Sequence, residues 1–275
     1  GIPIFPTLNG FNYVVAGVKI DGKTHLYDAA DKNGVVDILK TNLLNWKGRM
    51  VKEDGTSRLV DVYPVKSALH NALISVSIDD DLTVQGNAKN RLSGHYARST
   101  RSKYDDVDNA EQLKKLDEAF ETIDIIDLKF KDLDTFSKPV TMEYNFEIED
   151  GVEEIGGKLY LSPFFHLGQS ESVFKSEERA YPIDFIYAYE DRYSVSIEIP
   201  EGYVVESIPE NLVINLSQGM GAFRYGAIVA NGKISISMQN AIKTPVIDAG
   251  FYKDLQEYFK MIIEKQAEKI VLKKA

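Results

Sequence analysis

Residues 193–238 read YSVSIEIPEGYVVESIPENLVINLSQGMGAFRYGAIVANGKISISM, and this stretch decides the fold. Tyr193, Val195, Ile197 and Ile199 alternate with Ser194, Ser196 and Glu198. A period of two puts every apolar side chain on one face of a strand. Pro200-Glu201-Gly202 ends that run, and Tyr203–Ser207, Leu212–Leu216, Ala222–Val229 and Lys233–Met238 follow, divided by Gly219–Gly221 and Asn231-Gly232. Short strands spaced about ten residues apart, with turn residues between them, predict an antiparallel β-sandwich.

Working outward, a C-terminal helix is expected over Asp248–Lys265, where Phe251, Leu255, Tyr258, Phe259, Ile262 and Ile263 make one apolar stripe. In the other direction, Met142, Tyr144, Phe146 and Ile148 alternate cleanly within Val140–Ile148. Strands are also read at Arg49–Val51, Ser57–Val62, Asn71–Ile78, Leu82–Ala88, Gly94–Ser102, Ile125–Phe130 and Gly157–Leu161. Asp108 and Glu111 have the spacing of a capping box, and Leu113, Leu116, Phe120 and Ile123 recur at helical spacing, so one further helix is expected there. Near the start, residues 11–20 and 23–30 flank Asp21-Gly22, a tight-hairpin signal. The expected class is mainly β, with antiparallel sandwich modules and two helices. Expected units are 1–62 and 63–275, with a sub-boundary open near 162–178.

Composition excludes several functions. The chain has no Cys, hence no disulfide, no thiolate nucleophile and no Cys-based zinc or iron–sulfur site. His25, His70, His95 and His166 are scattered, which argues against a multi-His metal site. A formal charge of −10 argues against nucleic acid, whose phosphates need clustered Lys and Arg. No apolar run reaches the ~20 residues of a membrane-spanning helix. The opening Gly-Ile-Pro-Ile-Phe-Pro has no basic n-region, so no signal peptide is read there. No cofactor is expected.

The strings Phe11-Asn12-Tyr13-Val14-Val15, Ile20-Asp21-Gly22-Lys23 and Leu26-Tyr27-Asp28-Ala29 resemble bacterial transglutaminase-like proteins, and Asn45-Trp46-Lys47-Gly48-Arg49 resembles the segment after that motif. The resemblance implies that Tyr13 stands at a catalytic His position and Asp28 at a catalytic Asp position. It places the Cys nucleophile upstream, on a helix this sequence lacks. Arg179-Ala180-Tyr181-Pro182-Ile183-Asp184-Phe185, Ile199-Pro200-Glu201-Gly202-Tyr203, Val205-Glu206-Ser207-Ile208-Pro209 and the final helix are similar to an uncharacterised β-rich domain appended to such proteins. The family implies an envelope location, periplasmic or extracellular, and makes residues 1–62 a partial transglutaminase-like β-region.

Counting outward from the turn pairs Ile20 with Lys23, and makes Tyr13 and Asp28 diagonal neighbours on one face about 7–8 Å apart at the backbone. His25 pairs with Val18 on the opposite face, so it does not replace the missing His. The chemistry needs a thiolate, a proton-carrying His and an orienting acid. Only Asp28 remains, because a phenol of pKa ~10 is a poor base near neutral pH. Tyr13 and Asp28 are therefore read as a hydrogen bond bracing the hairpin.

Other candidates are weighed against plain structural roles. Asp28–Gly34 (DAADKNG) imitates a calcium loop, but Ala29 and Lys40 fall at the terminal ligand positions and the match fails. Asp79-Asp80-Asp81 and Asp105-Asp106 are read as turn acids, and Asp124, Asp127, Glu147 and Glu149 as acids on a wet strand face. Arg91, His95, Arg98, Arg101 and Lys103 form the main basic concentration, and Arg98 and Arg101 are its binding candidates. Tyr187 and Tyr189, alternating with Ile186 and Ala188, are candidates for a sugar or partner surface if exposed, and core if buried. His166 sits in an apolar run and is read as a structural histidine. Three functions remain open: a non-catalytic module binding a protein or glycan, a fragment of a cysteine transglutaminase or peptidase-like enzyme, and a structural assembly domain.

Overall fold

The computed structural model describes residues 10–120, 122–169 and 171–275. The opening Gly-Ile-Pro-Ile-Phe-Pro, where no signal peptide is read, lies outside the described residues.

The elements in chain order are β1 (Ala16–Ile20), β2 (Lys23–Tyr27), β3 (Trp46–Val51), β4 (Ser57–Val62), β5 (Ala68–Ile78) and β6 (Val84–Ser93). Helices α1 (His95–Tyr104) and α2 (Asn109–Asp117) follow, then β7 (Asp124–Lys131), β8 (Val140–Ile148), β9 (Val152–Ile155) and β10 (Lys158–Leu161). The rest comprises β11 (Ile183–Asp184), β12 (Tyr189–Glu198), β13 (Tyr203–Ser207), β14 (Leu212–Asn215), β15 (Gly221–Ala230), β16 (Lys233–Ile242), β17 (Val246–Ile247), α3 (Tyr252–Ala267) and β18 (Ile270–Lys274).

The protein is mainly β, as its alternating patterns predict. Its central feature is an eight-stranded sheet ordered β14-β15-β16-β12-β5-β6-β8-β7. Two antiparallel blocks of four strands meet at one parallel pair, β5 with β12, running from Ala68–Tyr189 to Val76–Ile197. A second sheet, ordered β13-β18-β10-β9, is antiparallel throughout. One apolar cluster joins the layers: Ile74, Val195, Ile197 and Ile234 from the large sheet, Leu159, Leu161, Ile270 and Leu272 from the small one, and Leu255, Phe259 and Ile262 from α3. Phe164 and Phe174, from the connection after β10, enter the same cluster. The other face of the large sheet is wet, with Ser75, Ser194, Ser235 and Ser237 exposed, the usual arrangement for antiparallel strands.

The hairpins β1–β2 and β3–β4 are separate two-stranded sheets, and none of their residues belongs to the apolar cluster. The pairing Ile20↔Lys23 and Val18↔His25 is the one the Asp21-Gly22 turn predicts. Asp21 (φ 49°) and Gly22 (φ 79°) both take the left-handed conformation of a two-residue primed turn.

Two expectations need correction. Gly94–Ser102 is not a strand: Gly94, at φ 64° and ψ −135°, ends β6 and α1 begins at once. A Cβ on Gly94 would lie 3.0 Å from the Ser67 carbonyl, so the turn needs glycine for space as well as conformation. Ala97, Arg101 and Tyr104 make the buried stripe of α1, hidden from hydropathy because its middle member is an arginine, and His95 is buried at the first turn. There are consequently three α-helices rather than two. The N-cap half of the box forms: Asp108 accepts a 2.9 Å hydrogen bond from the Glu111 N–H at the start of α2.

Candidate functional site

The site marked by the resemblance lies at the open end of β1–β2. The Tyr13 hydroxyl donates to the Asp28 carboxylate, 2.8 Å from Oδ2 and 3.0 Å from Oδ1. Asp28 Oδ1 also accepts the Ala30 N–H at 3.1 Å. The Lys40 ammonium lies 5.3 Å from the centre of the Tyr13 ring. Both carboxylate oxygens are therefore engaged in a bond that ties the strand ends together, and the phenol is its donor.

His25, on the opposite face, makes a pair that sequence reading missed. Its Nδ1 lies 2.8 Å from Asp37 Oδ2, and Asp37 Oδ1 accepts the Leu26 N–H at 3.0 Å. Partial burial opposes ionisation of Asp37, but the Leu26 and His25 bonds outweigh it and hold the carboxyl below its ordinary range. Asp37 sits at φ 64°, and no pattern in the sequence points to it.

The loop that imitates a calcium site is used for docking. Asp31 Oδ2 takes a 2.7 Å bond from Arg98 Nε, and both side chains are largely buried. Asn33 Nδ2 donates to Ser102 Oγ at 3.3 Å, and Lys32 pairs with Asp106. The first hairpin is thus pinned to α1. No group of three or more metal-ligating side chains occurs among the described residues.

The basic concentration does not form one surface. Arg98 faces Asp31, whereas Arg101 is 1% exposed and turns inward. Its guanidinium donates to the carbonyls of Leu133 (2.9 Å), Asp132 (3.1 Å), Thr135 (2.9 Å) and Lys138 (2.7 Å), so it holds the β7–β8 loop.

Tyr187 and Tyr189 lie in a polar aromatic group at one end of the large sheet's inner face. Tyr187 stacks on His95 at 4.4 Å between ring centres, 8° from parallel. Tyr189 packs against the core beside Phe185. Pairing across the sheet brings Asn240, Asp191 and His70 side by side. His70 Nε2 lies 2.8 Å from Asn90 Oδ1, and its Nδ1 is 3.9 Å from Asp191. Burial pushes Asp191 up to about 6, opposed by a hydrogen bond from the Tyr96 hydroxyl. Burial, reinforced by the Arg98 charge, pushes His95 down to about 4, and neither ring nitrogen has a partner among the described residues. His166 is likewise pushed down to about 4 by burial and bonds the Tyr144 hydroxyl at 2.8 Å, the structural role its apolar run predicts. Asp191 and His70 are far apart in sequence, so only strand pairing discloses this group.

Comparisons with known proteins find a similarity in one part of the chain. Residues 157–272 match a family described as "Domain of Unknown Function with solved-structure structure (DUF3858)". No curated protein matches. A solved structure of a "putative protease" from Parabacteroides distasonis is similar at 12% identity and a TM-score of 0.43, over 96% of this chain. The chain spans 36% of that protein's length.

Proposed function

We propose that this chain is a non-catalytic, partner-binding part of a transglutaminase-like protein of the bacterial envelope. Residues 1–62 are then a degenerate piece of the transglutaminase-like region and residues 63–275 the sandwich that follows it. The observation that carries this reading is the Tyr13–Asp28 bond. Where the resemblance calls for an imidazole oriented by a carboxylate, a phenol occupies the carboxylate instead. A phenol held as donor to an anion is a poor proton acceptor near neutral pH, and the sequence has no thiol to activate. The match of residues 157–272 to a domain of unknown function supports the sandwich half of the reading.

Two measurements test it. The chain and its Asp28→Asn variant are assayed for peptide hydrolysis and for transfer of a fluorescent amine to a glutamine peptide. No turnover is expected from either, and turnover abolished by Asp28→Asn overturns the non-catalytic reading. Hydrogen exchange is then mapped with soluble peptidoglycan fragments and with extended peptides. Localised protection by either supports a binding module; protection by neither overturns it.

A further inference from the structure

We propose that the groove between α2 and the edge strand β7 binds an extended, basic peptide segment, which adds to the large sheet as a ninth strand. This rests on the reading of the chain as a binding module and names the partner's chemistry.

Strand β7 ends the eight-stranded sheet, with β8 along one edge and no strand along the other among the described residues; at the start of that edge Asp117 of α2 accepts the Ile125 N–H at 3.3 Å, and the edge is open beyond it. A free edge offers a row of backbone donors and acceptors to an incoming strand. The register slips between Ile125 and Asp127. The extra residue, Ile126, is 55% exposed. A cavity of about 740 Å³ follows residues 126–130 of β7, with Gln112 and Leu113 of α2 among its other lining residues. Five residues of strand extend about 17 Å, enough for a short peptide to pair along it.

The cavity lining is acidic on balance, with Asp105, Asp127, Asp132 and Asp134 against Lys129, which pairs with Asp127 at 3.1 Å. Lys32 lies 3.9 Å from Asp105 and Lys138 3.1 Å from Asp132. Asp134 has no ion pair among the described residues. The four carbonyl bonds from Arg101 fix the loop that carries Asp132 and Asp134, so these carboxylates are held in place before anything binds. A segment bearing lysine or arginine at one end matches both the free edge and the carboxylates, and the chain's charge of −10 favours its approach.

The test titrates the full chain with fluorescein-labelled seven-residue peptides. One is a valine–threonine run with two lysines at one end, and one has glutamates in place of those lysines. Two more repeat the lysine peptide with alternate amides N-methylated, one for each edge of the peptide. The lysine peptide should bind saturably, with slowed hydrogen exchange confined to residues 109–134. The glutamate peptide and one of the methylated pair should bind at least about tenfold more weakly, since each loses charge pairing or strand hydrogen bonds. Asp134→Asn should weaken the lysine peptide while leaving the melting temperature unchanged. Equal binding of the lysine peptide and both methylated forms overturns strand addition, leaving charge attraction alone. Protection outside residues 109–134 overturns the site while the binding-module reading stands. No binding by any peptide overturns this proposal, and only the additional failure of peptidoglycan fragments brings down the broader reading.

Discussion

The amino-terminal hairpins and the eight-stranded sheet are both antiparallel β-structure with good turns, yet they are held by different forces. In the sheet, the Phe146 ring is fully buried and lies over Gly86, where an added Cβ would come within 2.2 Å of it. In the hairpins, Val14 is 87% and Trp46 68% exposed. Beside the buried Ile38, Leu39 and Leu44 of the segment between them, the hairpins are tied by polar bonds: Tyr13 to Asp28, His25 to Asp37, Arg98 to Asp31, and Asn45 Nδ2 to Asp184 Oδ1 at 2.7 Å. A two-stranded hairpin is marginal alone, and such bonds contribute about 1 kcal/mol each. The difference teaches that turn chemistry suffices to shape a hairpin, whereas apolar burial against a second layer is what makes a sheet resist opening.

The contrast breaks most easily at the core. Phe146→Ala should lose roughly 3–5 kcal/mol of global stability in urea unfolding, the cost of a large apolar cavity, while Val18→Ala should change it by less than about 0.5 kcal/mol. Comparable losses would show that the hairpins share the core after all. Next is Arg101→Met, which leaves four inward-facing carbonyls without their donor. Denaturation should register a loss of roughly 2–4 kcal/mol, with faster exchange in the 132–138 loop. A loss no larger than that of an exposed arginine would mean that the loop holds itself.

Acid should strain the sandwich more than the hairpins. Burial lowers His70, and lowers His95 and His166 to about 4, from an ordinary value of 6.5. The unfolded chain therefore takes up these protons first, and stability falls as pH drops from about 6.5 toward 4. Asp191 has the opposite sign. Raised by burial to about 6 from 3.8, it contributes stability at low pH that is lost as pH rises through about 6. Three histidines against one aspartate predict a net loss on the order of 1–3 kcal/mol between about pH 7.5 and pH 4.5. Urea midpoints at the two values measure it, and Asp191→Asn should enlarge the drop. A flat profile would show that the histidines titrate normally. The smallest effect sharpens the comparison from the other side. Tyr13→Phe should cost about 1 kcal/mol locally, visible as faster exchange of residues 16–27 with the main unfolding transition unmoved. A shifted main transition would tie the hairpin to the sheet.

Much of this was legible because it is local. Alternation at Val140–Ile148 and Tyr193–Ile199, the turns at Asp21-Gly22 and Asn231-Gly232, the Asp108 cap and the stripe from Phe251 to Ile262 each depend on residues a few positions apart. So does the Tyr13–Asp28 brace, which follows from counting along two paired strands. The absence of Cys and the acidic charge follow from composition alone. The tertiary structure decided the rest, because it turns on partners distant in sequence. It made α1 a helix by giving Arg101 four carbonyls to satisfy, where hydropathy saw only a basic residue. It set β5 beside β12 in parallel, and thereby brought His70 to Asp191. It placed β18 at the centre of the second sheet, pairing the last residues with β10 and β13. A strand's pattern states which face seeks burial, but which strand lies beside it and which polar groups are buried with it are fixed only when the layers close.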